Sequence, residues 1–553
     1  MNFLQFLQLL SIYGRKHFKI LYLLIISLFI TGFSIGMLGL TIKSFLDNGF
    51  LNNDTLNKTV LKFLFFSILL GVSTSIRIFS INLFSEKICA TTKEDVYKKI
   101  LHFPISKFDK DGSSQWINFV SNDIDIAINS ISINSSIIMR NIAMFLSATT
   151  LLILGSWKLS LIILFILPII LGIISFFGYK LRNKINSMKS IKNQLFLHFN
   201  ETISYIKTIK IFSGFHKETS KLSNFNKEIL SFAQYLYIFR GFFIGLMMIL
   251  MLTSIAIVIY IGGKSVILGT ITVGELSSFI FNSIICATSI GGIIESFSEI
   301  GKNYPIFLKL KEIIEQKIPK TNSETKNIFN GFKKITIKDL SFKYKNNDDY
   351  AFQNLNFEIH KGEKIAIIGK SGSGKTSFTN ILLKFYENYE GEIIFYLDDG
   401  EKIISKEFSS CEQYLENFSS VTQETNLFSD TIYNNITYGS KYNDLEEINF
   451  LLKSLNLYDY LYSLPNKLQT KIGDQSAQLS VGQKQRILIT RALLKKAQIL
   501  ILDESTSALD EENEKSLYDL LLNEKYKNLT IIIITHKVSF LNKMNKVIDF
   551  SKK

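Results

Sequence analysis

Hydrophobic and polar positions follow two regimes along this 553-residue chain. Before about residue 300 the apolar residues gather in long blocks; after it they come in short runs between polar stretches, as in a soluble α/β protein. Six blocks fill the first regime, at about 20–42, 60–84, 136–157, 159–179, 241–263 and 276–294. Most are close to the ~20 residues a helix needs to cross a bilayer, so the pattern predicts six membrane-spanning helices. The third and fourth blocks meet at Ser156-Trp157-Lys158, which predicts a tight turn. Residues 1–17 carry Phe3, Leu4, Leu7 and Leu10 at helical spacing with Arg15 and Lys16 at the end. That pattern fits an interfacial helix lying on the membrane and, equally, a plain extension of the first span.

The segments between the blocks differ in kind. Residues 86–134 and 180–235 are long, helical in pattern and rich in lysine, with Lys87, Lys93, Lys98 and Lys99 in the first and Lys180, Arg182, Lys184 and Lys189 in the second. The segment between the first two blocks carries Asp47 and Asp54 instead. Basic segments stay on the cytoplasmic side, so both chain ends are expected in the cytoplasm. Arg77 interrupts the second block. A charge within a span faces protein or a watery cavity; it could hold an anionic substrate headgroup, pair with a carboxylate, or snorkel. Arg140 reads as an interfacial cation. Asn82, Asn282 and Ser283 are milder candidates for a polar cavity surface, which makes Arg77, Asn82 and Asn282 the candidate substrate contacts.

From about 302 to 320 the last membrane helix continues into the cytoplasm, and Pro319-Lys320-Thr321-Asn322-Ser323-Glu324-Thr325 reads as a linker. The chain therefore divides into an all-α membrane domain, 1–320, and an α/β domain, 321–553, with structure starting near Phe332. Composition fits this division: 47% of residues are hydrophobic and the mean hydropathy is +0.20. The net charge of +14 could suggest a nucleic-acid partner. Its crowding into the segments between spans accounts for it without one, and none is expected. Cys89, Cys286 and Cys411 are far apart, which supports neither a disulfide framework nor a zinc site. The first apolar run is too long for a cleavable signal, and no Arg/Ser-rich transit peptide is visible.

The chemistry centres on Gly369-Lys370-Ser371-Gly372-Ser373-Gly374-Lys375-Thr376. It reads G-x-x-x-x-G-K-[ST], between an apolar strand at 364–368 and a helical run at 376–385, the context a phosphate-binding loop requires. Glycines let the backbone turn its N–H groups onto phosphate oxygens, and the helix adds the positive end of its dipole. Lys375 is expected at the β- and γ-phosphates of ATP and Thr376 at Mg²⁺, with Ser377 opening the helix beside them. At 498–504 an apolar run enters Asp503 and Glu504. Such a run reads as a buried parallel strand. Asp503 can hold Mg²⁺ through water, and Glu504 can polarise the attacking water as general base. A second buried strand, 530–535, ends in His536, on the same strand-end side.

Leu479-Ser480-Val481-Gly482-Gln483 followed by Lys484-Gln485-Arg486 resembles the LSGGQ signature of ABC transporters. The phosphate loop, Gln423 in the segment 421–428, Asp503-Glu504, Ser507-Ala508-Leu509-Asp510 and His536 come in the order and spacing of that family. In the membrane half, 103–109, 156–161 and 206–212 resemble its first cytoplasmic loop, third-to-fourth span turn and second cytoplasmic loop. Nearly the whole chain resembles a half-size exporter of the multidrug or lipid-flippase type.

The resemblance implies a dimer of half-transporters, more readily a homodimer, in the bacterial inner membrane, with membrane lipid as its surroundings. Two ATP molecules would lie head-to-tail, each between one subunit's phosphate loop and the other's Ser480, Gly482 and Gln483. Tyr344 would stack on adenine, Gln423 would sense Mg²⁺ and the attacking water, His536 would contact the γ-phosphate, and Asp510 would act across the dimer. Two departures from the family stand out. Val481 replaces the signature's first glycine, which leaves open a degenerate half of a heterodimer, and the family usually continues past the last strand with a further strand pair and helix. A non-transporting, ATP-gated channel or regulator is the other class to separate.

Overall fold

The computed structural model describes residues 18–49, 52–316, 332–344, 349–398, 400–408, 411–422, 426–441, 443–473, 479–504, 509–537 and 541–551. Most side chains between 162 and 189, and those of 110, 407 and 411, lie outside the description. Residues 1–17, equally open to an interfacial helix and to an extension of the first span, the linker at 319–325, and Gln423, Ser507 and Ala508 also lie outside the described residues. The chain divides into two units, Met1–Lys98 with Ile117–Glu315 and Lys99–Trp116 with Gln316–Lys553.

The first unit is helical: α1 (Phe18–Asn48), α2 (Asn53–Leu101, whose last turn belongs to the second unit), then, past α3 (Ile105–Asp111) and α4 (Ser113–Asn118), α5 (Ile124–Gly155), α6 (Trp157–Ser204), α7 (Ile206–Ile211), α8 (Phe215–Ile267) and α9 (Val273–Glu315). Among the described residues, five helical stretches are long and apolar enough to cross a membrane: α1, α2, Ser113–Gly155, α8 and α9. The fourth predicted block falls on α6. The helices run far beyond the apolar blocks. With 53 residues, α8 extends about 80 Å at ~1.5 Å per residue, against a hydrocarbon core of ~30 Å. The lysine-rich segments at 86–134 and 180–235 are thus largely the same helices continued into water.

Small residues set the packing of α1. Its buried face includes Ser27, Thr31, Gly32, Ser34, Gly36, Gly39 and Thr41. A Cβ added at Gly36 would lie 2.5 Å from Ser147 Oγ on α5, and one at Gly39 would lie 2.7 Å from Asn282 Nδ2 on α9. Helices approach this closely in a membrane because small side chains admit dispersion contact between backbones. At the far end of the seam Lys43 pairs with Glu275 at 2.9 Å. Asp47 accepts from Gly274 N and Thr272 Oγ1, both at 2.9 Å. An anion there complements the positive end of α9.

The second unit carries two sheets. An antiparallel sheet of order β2-β1-β4-β5 comprises β1 (Phe332–Phe342), β2 (Phe352–His360), β4 (Glu390–Leu397) and β5 (Lys402–Ile404). A parallel sheet of order β6-β7-β8-β3-β9 comprises β3 (Lys364–Ile368), β6 (Phe418–Val421), β7 (Ile499–Asp503), β8 (Thr530–Ile534) and β9 (Lys546–Asp549). Strands β7 and β8 are buried at every residue, as expected when helices cover both faces of a parallel sheet. One core joins the sheets through Phe332, Phe352, Ile365, Phe378, Phe395 and Ile499. The helix after β3, α10, spans Lys375–Leu382 and stops short of the predicted end at 385. Lys384 takes a φ of 58°, and Phe385 N turns back to Asn380 O at 2.9 Å, which closes the helix in a Schellman-like cap. Tyr414 of α11 (Cys411–Glu416) joins the core between the sheets; a second core lies beneath α12 (Ile432–Thr437), α13 (Leu445–Ser454), α14 (Tyr458–Ser463) and α15 (Val481–Leu494), and includes Ile436, Leu452, Ile487 and Leu493. The last helix, α16, is Glu511–Leu521.

At the start of β3, Lys364 is buried and its Nζ donates to four backbone carbonyls: Gly362 and Lys527 at 3.1 and 3.3 Å, Tyr526 and Leu529 at 2.9 Å. The ammonium ties the turn before β3 to the turn before β8.

Candidate active site

Parallel pairing brings the chemistry to one edge. Ile367 of β3 lies opposite Ile534 of β8, and Asp503 of β7 lies opposite the same residue. The three strands therefore end together, and the loops leaving them share one space. The first is Gly369–Thr376. Gly369, Gly372 and Gly374 have φ of 153°, 79° and 88°, a region that L side chains rarely adopt. A Cβ at Gly374 would also sit 2.5 Å from Ala351 O. These glycines shape a cradle of backbone N–H groups that opens onto the start of α10.

Other loop residues show how the cradle fits a polyphosphate. Lys375 is buried, and its Nζ donates to Gly369 O and Lys370 O, both at 2.9 Å. The cation is thus held inside the cradle, where an anion would gain it as a partner. The buried Ser373 Oγ finds no hydrogen-bond partner among the described residues. Both observations suit the phosphate chain of ATP.

Asp503 is 1% exposed. Burial pushes its carboxyl above the ordinary aspartate range, opposed chiefly by a hydrogen bond from Thr376. Thr379, one turn further along α10, also reaches Asp503 at 3.5 Å. Sequence reading missed Thr379; its i+3 spacing from Thr376 was the available signal. Two helix hydroxyls facing one buried carboxylate form an all-oxygen set of the kind a hard cation such as Mg²⁺ prefers.

Glu504 follows at a φ of 50°, with its N–H donating to Ile534 O at 3.1 Å. A non-glycine residue in this region is held there against its own preference. Its Oε1 lies 2.9 Å from His536 Nε2. Tyr344 joins the cluster through Ser377, with their hydroxyls 3.0 Å apart. The ring of Tyr386 meets Tyr344 edge-on at 5.3 Å, and its hydroxyl donates to Asp109 of α3. The tip of the first predicted cytoplasmic loop thus touches the aromatic side of this site.

A second cluster forms around the start of α15. Ser480 caps the helix: its Oγ accepts from Gln483 N at 3.2 Å, and Gln483 Oε1 accepts from Ser480 N at 2.9 Å. This reciprocal box fixes the serine beside the open N–H groups of the first turn. Gly482 accepts from Arg486 Nε at 3.4 Å, and Arg486 donates to Asn513 Oδ1 at 2.8 Å. Asn513 in turn donates to Asp510, whose carboxyl these bonds hold below the ordinary range. Val481 is 66% exposed, so its side chain leaves the box undisturbed.

Of the candidate substrate contacts, Arg77 and Asn282 are buried and Asn82 is exposed. Arg77 donates to Ser136 Oγ at 3.5 Å, and the charge bearing on it is a second cation, Arg140. Asn282 donates to Ser278 O at 2.8 Å and fills the space left by Gly39.

Residues 18–289 match the profile of the ABC transporter transmembrane region, and 352–507 match that of the ABC transporter. The chain is 29% identical to an export ATP-binding/permease protein of Rickettsia felis, over 98% of this chain and 93% of that one. It is 27% identical to an ATP-dependent lipid A-core flippase of Haemophilus ducreyi, over 92% of this chain and 86% of the relative. With membrane and ATPase domains fused in one half-size export chain, it belongs to the ABC transporter superfamily and is an integral membrane ATPase.

Proposed function

We propose that this chain is half of an ATP-driven exporter or flippase for a lipid or other amphipathic compound, working by alternating access. The observation that carries the reading is the pair of clusters on one ATPase domain. One cluster has a phosphate cradle and a general base but lacks the serine-capped helix; the other has the helix. Two copies placed head-to-tail complete both sites. Closure of the two domains would switch the membrane cavity from inward- to outward-facing, and hydrolysis would reset it. Both chain ends face the cytoplasm of a bacterial inner membrane in this arrangement.

Lys375 and the loop N–H groups bind the phosphates, and Tyr344 stacks on the base. Thr376, Asp503 and Gln423 are the residues that would hold Mg²⁺, which when bound neutralises charge on the phosphate oxygens. Water attacks the γ-phosphorus and gives its proton to Glu504, while the bond to the ADP oxygen breaks and its electrons stay on ADP. His536 orients Glu504 and the γ-phosphate. Ser480, Gly482 and Gln483 of the other copy bind that phosphate from the far side, and Asp510 acts across the dimer.

A homodimer is the simpler assembly because the capping box at Val481 is intact. The test is ATP hydrolysis by this chain alone in lipid nanodiscs. Steady turnover supports the homodimer; ATP binding without turnover points to a second, different half-transporter. Buried Arg77, with Arg140 as its neighbouring charge and Ser136 as its partner, favours an anionic group on the transported compound. Arg77→Ala is therefore expected to abolish stimulation of the ATPase by anionic lipids while leaving unstimulated turnover within about twofold. Equal stimulation in both proteins would remove Arg77 from the transport path.

A further inference from the structure

The loop that carries His536 is held from behind by a pair of charges, Glu514 and Lys537. Glu514 lies in the first turn of α16 with its side chain 3% exposed, and Lys537 Nζ reaches its Oε2 at 2.8 Å. Lys537 immediately follows His536. Its N–H donates to Thr535 Oγ1 at 3.0 Å, and Thr535 N donates to Ile367 O at 3.3 Å, at the end of the strand before the phosphate cradle. Thr535 and Lys537 are therefore anchored on either side of the histidine. Glu514 is also one turn beyond Asp510, whose carbonyl accepts from Glu514 N at 2.9 Å.

We infer that Glu514 and Lys537 are a positioning pair that aims His536 at Glu504 and joins the two clusters within one subunit. The carboxylate of Glu514, 3% exposed, depends strongly on this cation, because removing Lys537 leaves a buried charge uncompensated. The pair thus fixes the distance between α16, which starts at Asp510, and the loop after β8, which carries His536. A shift of that loop by an ångström would move the imidazole out of reach of Glu504. Misplacement on this scale lowers rates by up to ~100-fold. The inference rests on the reading of His536 as a working member of the site.

The experiment uses the full chain in nanodiscs with Lys537→Met, Lys537→Arg, the double variant Glu514→Gln/Lys537→Met, and His536→Ala. The double variant removes the uncompensated charge, so its thermal unfolding midpoint is expected to match wild type. Its kcat is expected to fall at least ~tenfold with KM for ATP within ~twofold. Lys537→Arg, which keeps the charge, is expected to recover most of the turnover lost in Lys537→Met. In nucleotide-free protein, site-resolved modification of His536 by diethyl pyrocarbonate is expected to quicken in the double variant, as the imidazole loses its carboxylate partner.

Full turnover and an unchanged His536 modification rate in a stably folded double variant would overturn the pair. A kcat that falls only in step with the unfolding midpoint would also overturn it, as a structural role. His536→Ala separates the two readings. If it keeps wild-type turnover, the role of His536 fails and the pair falls with it; if it loses turnover and the double variant does not, only the pair fails.

Discussion

Glu504→Gln lowers steady-state ATP hydrolysis by roughly 10²–10⁴-fold, the range a general base supplies, and leaves ATP binding intact. The amide keeps the shape of the side chain and its contact with His536 but cannot take a proton from the attacking water. Binding is spared because the cradle from Gly369 to Thr376 and the buried Lys375 are untouched. Phosphate release and equilibrium ATP binding, measured on one nanodisc preparation, read both halves of this expectation. Turnover within ~tenfold of wild type would assign the base elsewhere. The backbone of Glu504 at a φ of 50° adds a reason for the placement: a residue held in a disfavoured conformation persists where the surrounding structure over-determines it. Here the bond from its N–H to Ile534 O supplies that constraint.

The second large effect concerns stability. Lys364→Met is expected to destabilise the ATPase domain by about 3 kcal/mol, because four part-buried carbonyls lose their shared donor and a polar group left unpaired away from water costs ~1–3 kcal/mol. The methionine fills part of the space, which keeps the cost below the sum over the carbonyls. For a domain of this size the loss corresponds to a fall in unfolding midpoint of roughly 6–12 °C. Differential scanning calorimetry of the detergent-purified chain measures it. A midpoint within about 2 °C of wild type would mean that water replaces the ammonium at those carbonyls.

Much of the site was legible because its parts are contiguous. The phosphate cradle is one run of residues with its glycines at required places, and Asp503-Glu504 announce themselves by following an apolar strand. Strand β3 was predicted at its observed ends, Lys364–Ile368. The capping of α15 was legible only in part: Ser480 and Gln483 were named for contacts with phosphate, while their bond to each other is a local one that the three-residue spacing encodes. The end of α10 was missed because nothing in a lysine at 384 signals a left-handed residue. Glu514 and Lys537 were missed for a different reason. They are 23 residues apart, and only the pairing of β8 beside β3 and β7 brings them together. Tyr386 and Asp109, separated by 277 residues, likewise meet only in the folded chain. Gln423, named from the sequence, lies outside the described residues.

The seam between α1, α5 and α9 has a mechanical consequence. Gly36 against Ser147 and Gly39 against Asn282 leave no space for sliding, and close-packed interfaces change by discrete steps, not by gradual shear. The three helices then travel as one strut, pinned at its end by Lys43, Asp47, Thr272 and Glu275. Under alternating access, any hinge that opens the membrane domain would then bend elsewhere. Cross-linking the strut to itself would leave the transport cycle running.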